Sequence, residues 1–261
     1  MDYPGAFQAT KKDGSIYYRS SITIDGKHIS LGSFSTAPKA SRAYKLAGKL
    51  MRSQDTKEDY SSYRELSFDK FMILLNLRDN GIYFSSPVYL KSNYFLYYLD
   101  ENTELIFDRE DLFYYTSHKI IRRGGHLFVN DFGAQVSILS RYGIHPYSVI
   151  DRDYTFINRN PLDFRRENIE IVNPYHGVFC AAEGGRTGYL VKIHVKGNYK
   201  VGFYDDIVTA AIAYNKAADV LKKAGIDKQF ELNYIEGISM KEYADIYACV
   251  TISKSLYKPK K

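Results

Sequence analysis

Tryptophan is absent from the 261 residues, and the chain has only two cysteines and seven prolines. Cys180 and Cys249 lie far apart, with no Cys-x-x-Cys spacing. This excludes a disulfide framework, argues against a cysteine zinc site and fits a reducing intracellular compartment. Long apolar runs are also missing. The longest, Phe71-Met-Ile-Leu-Leu75, is core-sized, well short of the roughly 18–20 residues of a membrane span, so no membrane partner is expected. The opening Met1-Asp-Tyr-Pro-Gly5 has neither the basic-then-apolar order of a signal peptide nor the character of a transit peptide. Nucleus or cytoplasm is the favoured location, with an organelle as the alternative. No glycine-rich phosphate loop, serine-nucleophile elbow or paired-carboxylate motif is present, and no His stands in a metal-ligand spacing with another His or Cys. Neither a cofactor nor a metal is expected.

Aromatic residues and charge are plentiful. There are 25 Tyr and 15 Phe, which suit packing and base stacking, and the net charge is +6. The charge is uneven. Residues 1–64 carry 11 Lys and Arg against 6 Asp and Glu; residues 65–176 carry 12 against 15; residues 177–261 carry 13 against 9. The ends are basic and the middle is acidic, so a polyanionic partner would meet the ends.

The chain also repeats itself. Gly5-Ala-Phe7, Ile22-Thr-Ile24-Asp-Gly26, Leu31-Gly32-Ser-Phe34 and Ala40-Ser-Arg-Ala43-Tyr44 return as Gly177-Val-Phe179, Ile193-His-Val195-Lys-Gly197, Val201-Gly202-Phe-Tyr204 and Ala210-Ala-Ile-Ala213-Tyr214. The offset is 172 at the first Gly, 171 at Ile22/Ile193 and 170 at Tyr44/Tyr214. One copy can be read physically. Ile22 and Ile24 alternate into a strand, Asp25-Gly26 is a hairpin turn, and Ile29 and Leu31 continue the return strand. Thr36 caps a helix with Pro38 in its first turn. Ala40, Ala43, Ala47 and Leu50 fall on one face, small enough to lie close to a sheet. Each copy is therefore expected to be a three-stranded antiparallel sheet with one packed helix and an open opposite face, with Gly26 and Gly197 in equivalent turns.

Both copies resemble the plant Apetala-two/ethylene-response-factor (AP2/ERF) DNA-binding domain, through Leu31-Gly-Ser-Phe34, the Ala210–Ala218 helix and Phe230-Glu-Leu-Asn233. The resemblance implies an open sheet face lying in the major groove, where Arg and Trp read bases and phosphates. Carried over by position, the N-terminal face is Phe7, Ala9, Lys11, Ser21, Thr23, His28 and Ser30, with Lys27 at the turn. The C-terminal face is Phe179, Ala181, Lys192, His194 and Lys200, with Arg186 before the strand. Both faces lack Trp and are nearly free of Arg, the usual guanine reader.

The middle segment does not repeat. Phe68 to Leu75 suggests a buried helix capped near Ser67 and ending before Gly81. Tyr154-Thr-Phe156-Ile-Asn158-Arg-Asn160-Pro-Leu-Asp163-Phe-Arg-Arg-Glu-Asn168-Ile169 resembles the core of HNH homing endonucleases, a strand–turn–helix that binds one divalent metal. Asn158, Asn160, Asp163, Arg165, Asn168 and Ile169 match it. Thr155 stands at the position of the family's metal-binding Asp, Phe156 at its general-base His and Phe164 at a later Asn. Phenylalanine can neither take a proton from water nor bind a metal, so the resemblance implies a catalytically inactive remnant. Phe156 is expected to pack on Ile169 and Ile171 as core. Arg159, Arg165 and Arg166 would contact phosphates or pair with Asp163, Glu167 and Asp153.

The expected fold class is α+β. It comprises an AP2/ERF-like domain at 1–64, a degenerate HNH-like module at 65–176, a second AP2/ERF-like domain at 177–238 and a C-terminal helix with a basic tail at 239–261. The expected function is non-enzymatic nucleic-acid binding, with duplex DNA the favoured partner. The alternatives are an RNA-binding structural subunit of a ribonucleoprotein such as an organellar ribosome, contacting other proteins in a larger particle, and an active nickase.

Overall fold

The alternating and helical patterns at the two ends build the expected sheets and helices in a computed structural model that describes residues 2–145 and 148–257. The basic tail Lys258-Pro-Lys-Lys261 lies outside the described residues. The fold is α+β: small antiparallel sheets, mostly of three strands, with few helices. The chain forms two compact units. One holds residues 1–138 and 160–168, the other 139–159 and 169–261.

In the first unit, β1 (Ala6–Thr10), β2 (Ile16–Ile24) and β3 (Lys27–Phe34) form a sheet in that order, and α1 (Ala37–Leu50) covers one face. The Thr36 side chain accepts the Lys39 N–H, which satisfies one of the helix's orphan donors. Ala40, Ala43, Ala47 and Leu50 are fully buried, facing Ile29 and Leu31. Next comes α2 (Phe68–Asn80), capped by Ser67 and closed by Gly81 in the left-handed conformation, φ 70°. It buries Phe71, Met72, Leu74 and Leu75 in the same core as α1. Buried Asn76 fixes the end of α2. Its amide donates to the Ile82 carbonyl at 2.8 Å, and its carbonyl accepts the Leu90 N–H at 3.0 Å.

A second sheet, β4 (Val88–Leu90), β5 (Tyr94–Asp100) and β6 (Thr103–Asp108), is followed by α3 (Leu112–Ser117). A third comprises β7 (Ile120–Arg123), β8 (His126–Asp131) and β9 (Ala134–Ser137). Residues 160–168 extend the second sheet. Ile106 donates to the Leu162 carbonyl and accepts from the Phe164 N–H, at 2.9 and 2.8 Å.

The second unit opens with the short pair β10 (Tyr154–Phe156) and β11 (Ile169–Ile171). A further sheet, β12 (Val178–Glu183), β13 (Arg186–His194) and β14 (Asn198–Tyr204), carries α4 (Ile207–Lys223) on one face. The helix α5 (Met240–Cys249) adds Tyr243, Ile246 and Tyr247 to the core beneath α4. Lys216 of α4 donates to the carbonyls of Tyr247 and Val250 at 2.7 and 2.8 Å, satisfying groups that the end of α5 leaves unpaired. The segments read from sequence do not coincide with these units. Residues 65–138 share a unit with the first repeat, and 239–257 contribute to the core of the second.

The two repeats share their register. Ala6 pairs with Ser20, Thr10 with Ile16, Ser21 with Ser30 and Thr23 with His28. The matching pairs are Val178–Val191, Ala182–Thr187, Lys192–Lys200 and His194–Asn198. A bulge interrupts both sheets at the same place, between Ser20 and Ser21 and between Val191 and Lys192. Gly5 and Gly177, both at positive φ, lie against the rings of Tyr44 and Tyr214, where a β-carbon would collide. The two drops in offset fall in the hairpins. The first connection shortens from 11–15 to a turn closed by Glu183 and Arg186. In the second, Asp25-Gly26 forms a two-residue turn with φ 45° and 75°, whereas residues 195–197 form a three-residue loop in which Gly197 keeps ordinary φ. The two glycines therefore occupy equivalent places but different turns.

Candidate nucleic-acid interface

Pairing and alternation fix which residues face away from α4. Val191, Ile193 and Val201 are buried beneath the helix. Their neighbours Lys192, His194 and Lys200 are exposed on the opposite face. Lys192 and Lys200 are cross-strand partners, and His194 pairs with Asn198. The His194 ring is hydrogen-bonded to the Asn198 side chain at 3.0 Å, which holds the imidazole across the hairpin. Lys192 Nζ lies 5.8 Å from the centre of the Phe179 ring, within cation–π range. Arg186 is exposed at the far end, opposite Glu183. Lys200 forms an ion pair with Glu183, both side chains half exposed, so that pair adds little stability and part of the lysine's charge is already met.

This face also carries a row that alternation alone does not reveal. Phe179 pairs with Leu190, and Leu190 with Phe203. All three are partly exposed, and none belongs to the core beneath α4. Strict alternation from Lys200 puts Gly202 outside and Phe203 inside. The bulge shifts the count by one and turns Phe203 outward. A β-carbon on Gly188 would meet the Phe203 ring, so that ring lies across the neighbouring strand. Glu183, Leu190 and Phe203 were not read as face residues from the sequence. For Glu183 and Leu190 the signal was present, since they continue the alternation of Ala181 and Lys192.

The N-terminal face is different. Ser21 pairs with Ser30 and Thr23 with His28, on the side away from α1. Phe7, 59% exposed, pairs with Arg19, which is also exposed and which the sequence reading overlooked. Lys11 sits in the turn before β2, outside the sheet face. Lys27 is corrected. It pairs with Ile24, which faces the core, and its ammonium lies 5.0 Å from the centre of the Tyr83 ring on the helix side. The two-residue turn sets its parity and takes it off the candidate face.

The nuclease-like residues are spread across both units, and in place of the expected strand–turn–helix the chain runs from β10 through a short 3-10 turn, Arg166–Asn168, directly into β11. Thr155 donates to an Asp151 carboxylate oxygen at 3.0 Å. Phe156 is 5% exposed, pairs with Ile169 across the two strands and lies edge-on to Tyr154. Ile171, expected beside it, pairs with Tyr154 and is 40% exposed. Phe164 stacks on Phe107 at 5.4 Å, and Phe107 stacks in turn on Phe95 at 5.5 Å. Buried Asn168 donates to the Asp163 carbonyl at 2.8 Å. Arg165 grips buried Asp163 through two bonds of 2.9 and 2.7 Å and reaches Glu167 at 2.8 Å. The Asp163 carboxylate holds this guanidinium charged, with its pKa pushed up. Arg165 thus makes the ion pairs expected of it with Asp163 and Glu167. Asp153 pairs with Arg152 instead. The Arg166 N–H donates to Asp108 at 2.8 Å, and Arg159 is exposed at φ 60°. Among the described residues, no three His, Cys, Asp or Glu side chains gather closely enough to hold a metal.

No family model, curated protein or solved structure matches this chain.

Proposed function

We propose that this protein binds nucleic acid without cutting it, through the outward sheet face of its C-terminal repeat, on a scaffold derived from an HNH homing endonuclease flanked by AP2/ERF-like domains. The observation that carries the reading is the line of Lys192, Lys200 and His194 on one uncovered face, with Arg186 at its end. Such donors follow a phosphate backbone without reading sequence. The N-terminal repeat contributes Arg19, Thr23, His28 and Ser30 more weakly, since only Arg19 of these is fixedly charged. The nuclease-like stretch serves as structure. Thr155 is bonded to Asp151 and Phe156 is buried in the β10–β11 pair, both poor replacements for the carboxylate and histidine of a hydrolytic site.

The test is fluorescence anisotropy of the purified protein with labelled 20-mers as salt is varied, alongside incubation of supercoiled plasmid with Mg²⁺ or Mn²⁺. Binding that falls steeply with salt and plasmid that stays supercoiled are the expected results. Nicking lost on Asp163→Asn would overturn the non-enzymatic part, and absence of binding at low salt would overturn the rest.

A further inference from the structure

From the outward face of the β12–β13–β14 sheet, we infer that the C-terminal repeat takes unpaired nucleotides, with bases stacked on the Phe203 row and phosphates held by Lys192 and Lys200. This rests on the nucleic-acid reading above and narrows it from any polyanion to a single strand.

A duplex exposes little of its bases. Its base faces are stacked away, so a protein meets only groove edges and phosphates, and edge readout calls for Arg, Asn or Gln on the docking surface. Here the centre of the face is apolar. Phe179, Leu190 and Phe203 form one cross-strand row, and Ala181 pairs with Gly188 in the next row. The guanidinium of Arg186 stands at the margin. The Phe203 ring on this face contributes nothing to a duplex edge but offers a platform to a base freed from its stack.

The geometry of Phe203 supports that use. The bulge at Val191/Lys192 turns it outward, and Gly188 on the neighbouring strand leaves the space its ring lies across. Any larger residue at 188 would drive the ring off the sheet. The adjoining row holds the charge: Lys192 and Lys200 are direct partners, one step along the strands from the Leu190–Phe203 pair across the bulge. Successive rows on one face of a sheet lie about 7 Å apart, a separation that a base and its own phosphate can bridge. The N-terminal repeat has Phe7, Arg19 and Ser33 in the equivalent row and Ser21 and Ser30 in place of the lysines. It lacks both the second ring and the cationic pair, so the inference is confined to the C-terminal repeat.

The absence of tryptophan makes the test clean. Full-length protein is titrated at about 0.1 M salt, near physiological screening, with labelled dT20, U20 and a mixed-sequence duplex of about 20 bp. Either single strand should bind about tenfold or more tightly than the duplex, and Phe203→Ala should erase that preference. Phe203→Trp should keep it, and its fluorescence should be quenched by dT20 or U20 and not by duplex. Circular dichroism establishes that each variant is folded; if Phe203→Ala is not, the Trp variant decides alone. Equal or tighter binding of duplex, or a Trp signal indifferent to single strands, overturns the inference and leaves the wider reading standing. No binding of any of the three overturns the wider reading itself.

Discussion

Ser20 and Ser41 of the N-terminal repeat stand where the C-terminal repeat has Val191 and Ala211. All four are buried between sheet and helix. Among the described residues neither serine hydroxyl has a hydrogen-bond partner, whereas the second repeat fills the same places with apolar groups. On the outward faces the contrast runs the other way. Ser21 and Ser30 of the first repeat correspond to Lys192 and Lys200 of the second. Yet the backbones agree strand for strand, down to the bulge and the glycine under the tyrosine. Register, cap and close approach are thus set by a handful of positions. The buried interface and the outward face then vary independently on that frame, one repeat acquiring charge and the other tolerating unsatisfied hydroxyls.

The strongest way to break this comparison is at the shared glycines. Gly5→Ala and Gly177→Ala should each cost about 3 kcal/mol, because the new β-carbon meets both a left-handed backbone and a tyrosine ring. Urea denaturation of the full chain measures it. A loss below about 1 kcal/mol at either site would mean that the two repeats do not depend on the same packing.

The next effect is on binding. Lys192→Glu with Lys200→Glu should weaken nucleic-acid affinity about 30-fold at low salt and lower the salt slope by about 1.5, two phosphate contacts' worth. Lys11→Glu with Lys27→Glu should do far less, since Lys27 lies over Tyr83 on the helix side. Giving the first repeat the second's charges, by Ser21→Lys and Ser30→Lys, should raise the slope. Indifference to all three pairs would move the interface off the sheets.

A smaller effect sharpens the buried half. Ser20→Val and Ser41→Ala should each stabilise the first repeat by about 1 kcal/mol, by removing a hydroxyl that burial leaves unpaired. Destabilisation by both would show that the hydroxyls are satisfied in solution.

The smallest effect is a pH dependence confined to the second repeat. His176 sits edge-on to Tyr214 at 5.3 Å, and burial lowers its pKa below 6.5; nearby His145 and Lys228 add to the shift and Glu231 opposes it. The unfolded chain therefore binds the proton more readily than the folded one, so stability falls as pH drops below about 6.5. Between pH 7 and 5 the native chain should lose more stability than His176→Gln, measured by urea midpoints. Identical losses would remove His176 as the cause.

Much of the frame was legible because it is local. Thr36 caps α1, Ser67 and Gly81 bound α2, and the alanine stripe faces the sheet, each signal acting within a few residues. The cationic half of the candidate face followed from alternation at Lys192 and His194. What escaped the sequence depends on one-residue shifts or distant partners. Phe203 faces outward because of a bulge, and Lys27 faces inward because of a two-residue turn. The aromatic stack that absorbs Phe164 involves Phe107, and no local pattern joins those residues.

The return of residues 160–168 to the first unit has a consequence for synthesis. Asp108 waits for the Arg166 N–H, 58 residues later in the chain. Until then, a nascent chain that has already made β4, β5 and β6 carries an unfilled edge at Ile106, whose backbone N–H and carbonyl have no strand beside them. Such an edge can recruit the wrong strand. A messenger truncated after codon 138 would yield a product with that edge permanently bare and the Phe107 ring lacking its Phe164 cover. Such a product is expected to aggregate, although nearly every helix and strand of its unit is encoded.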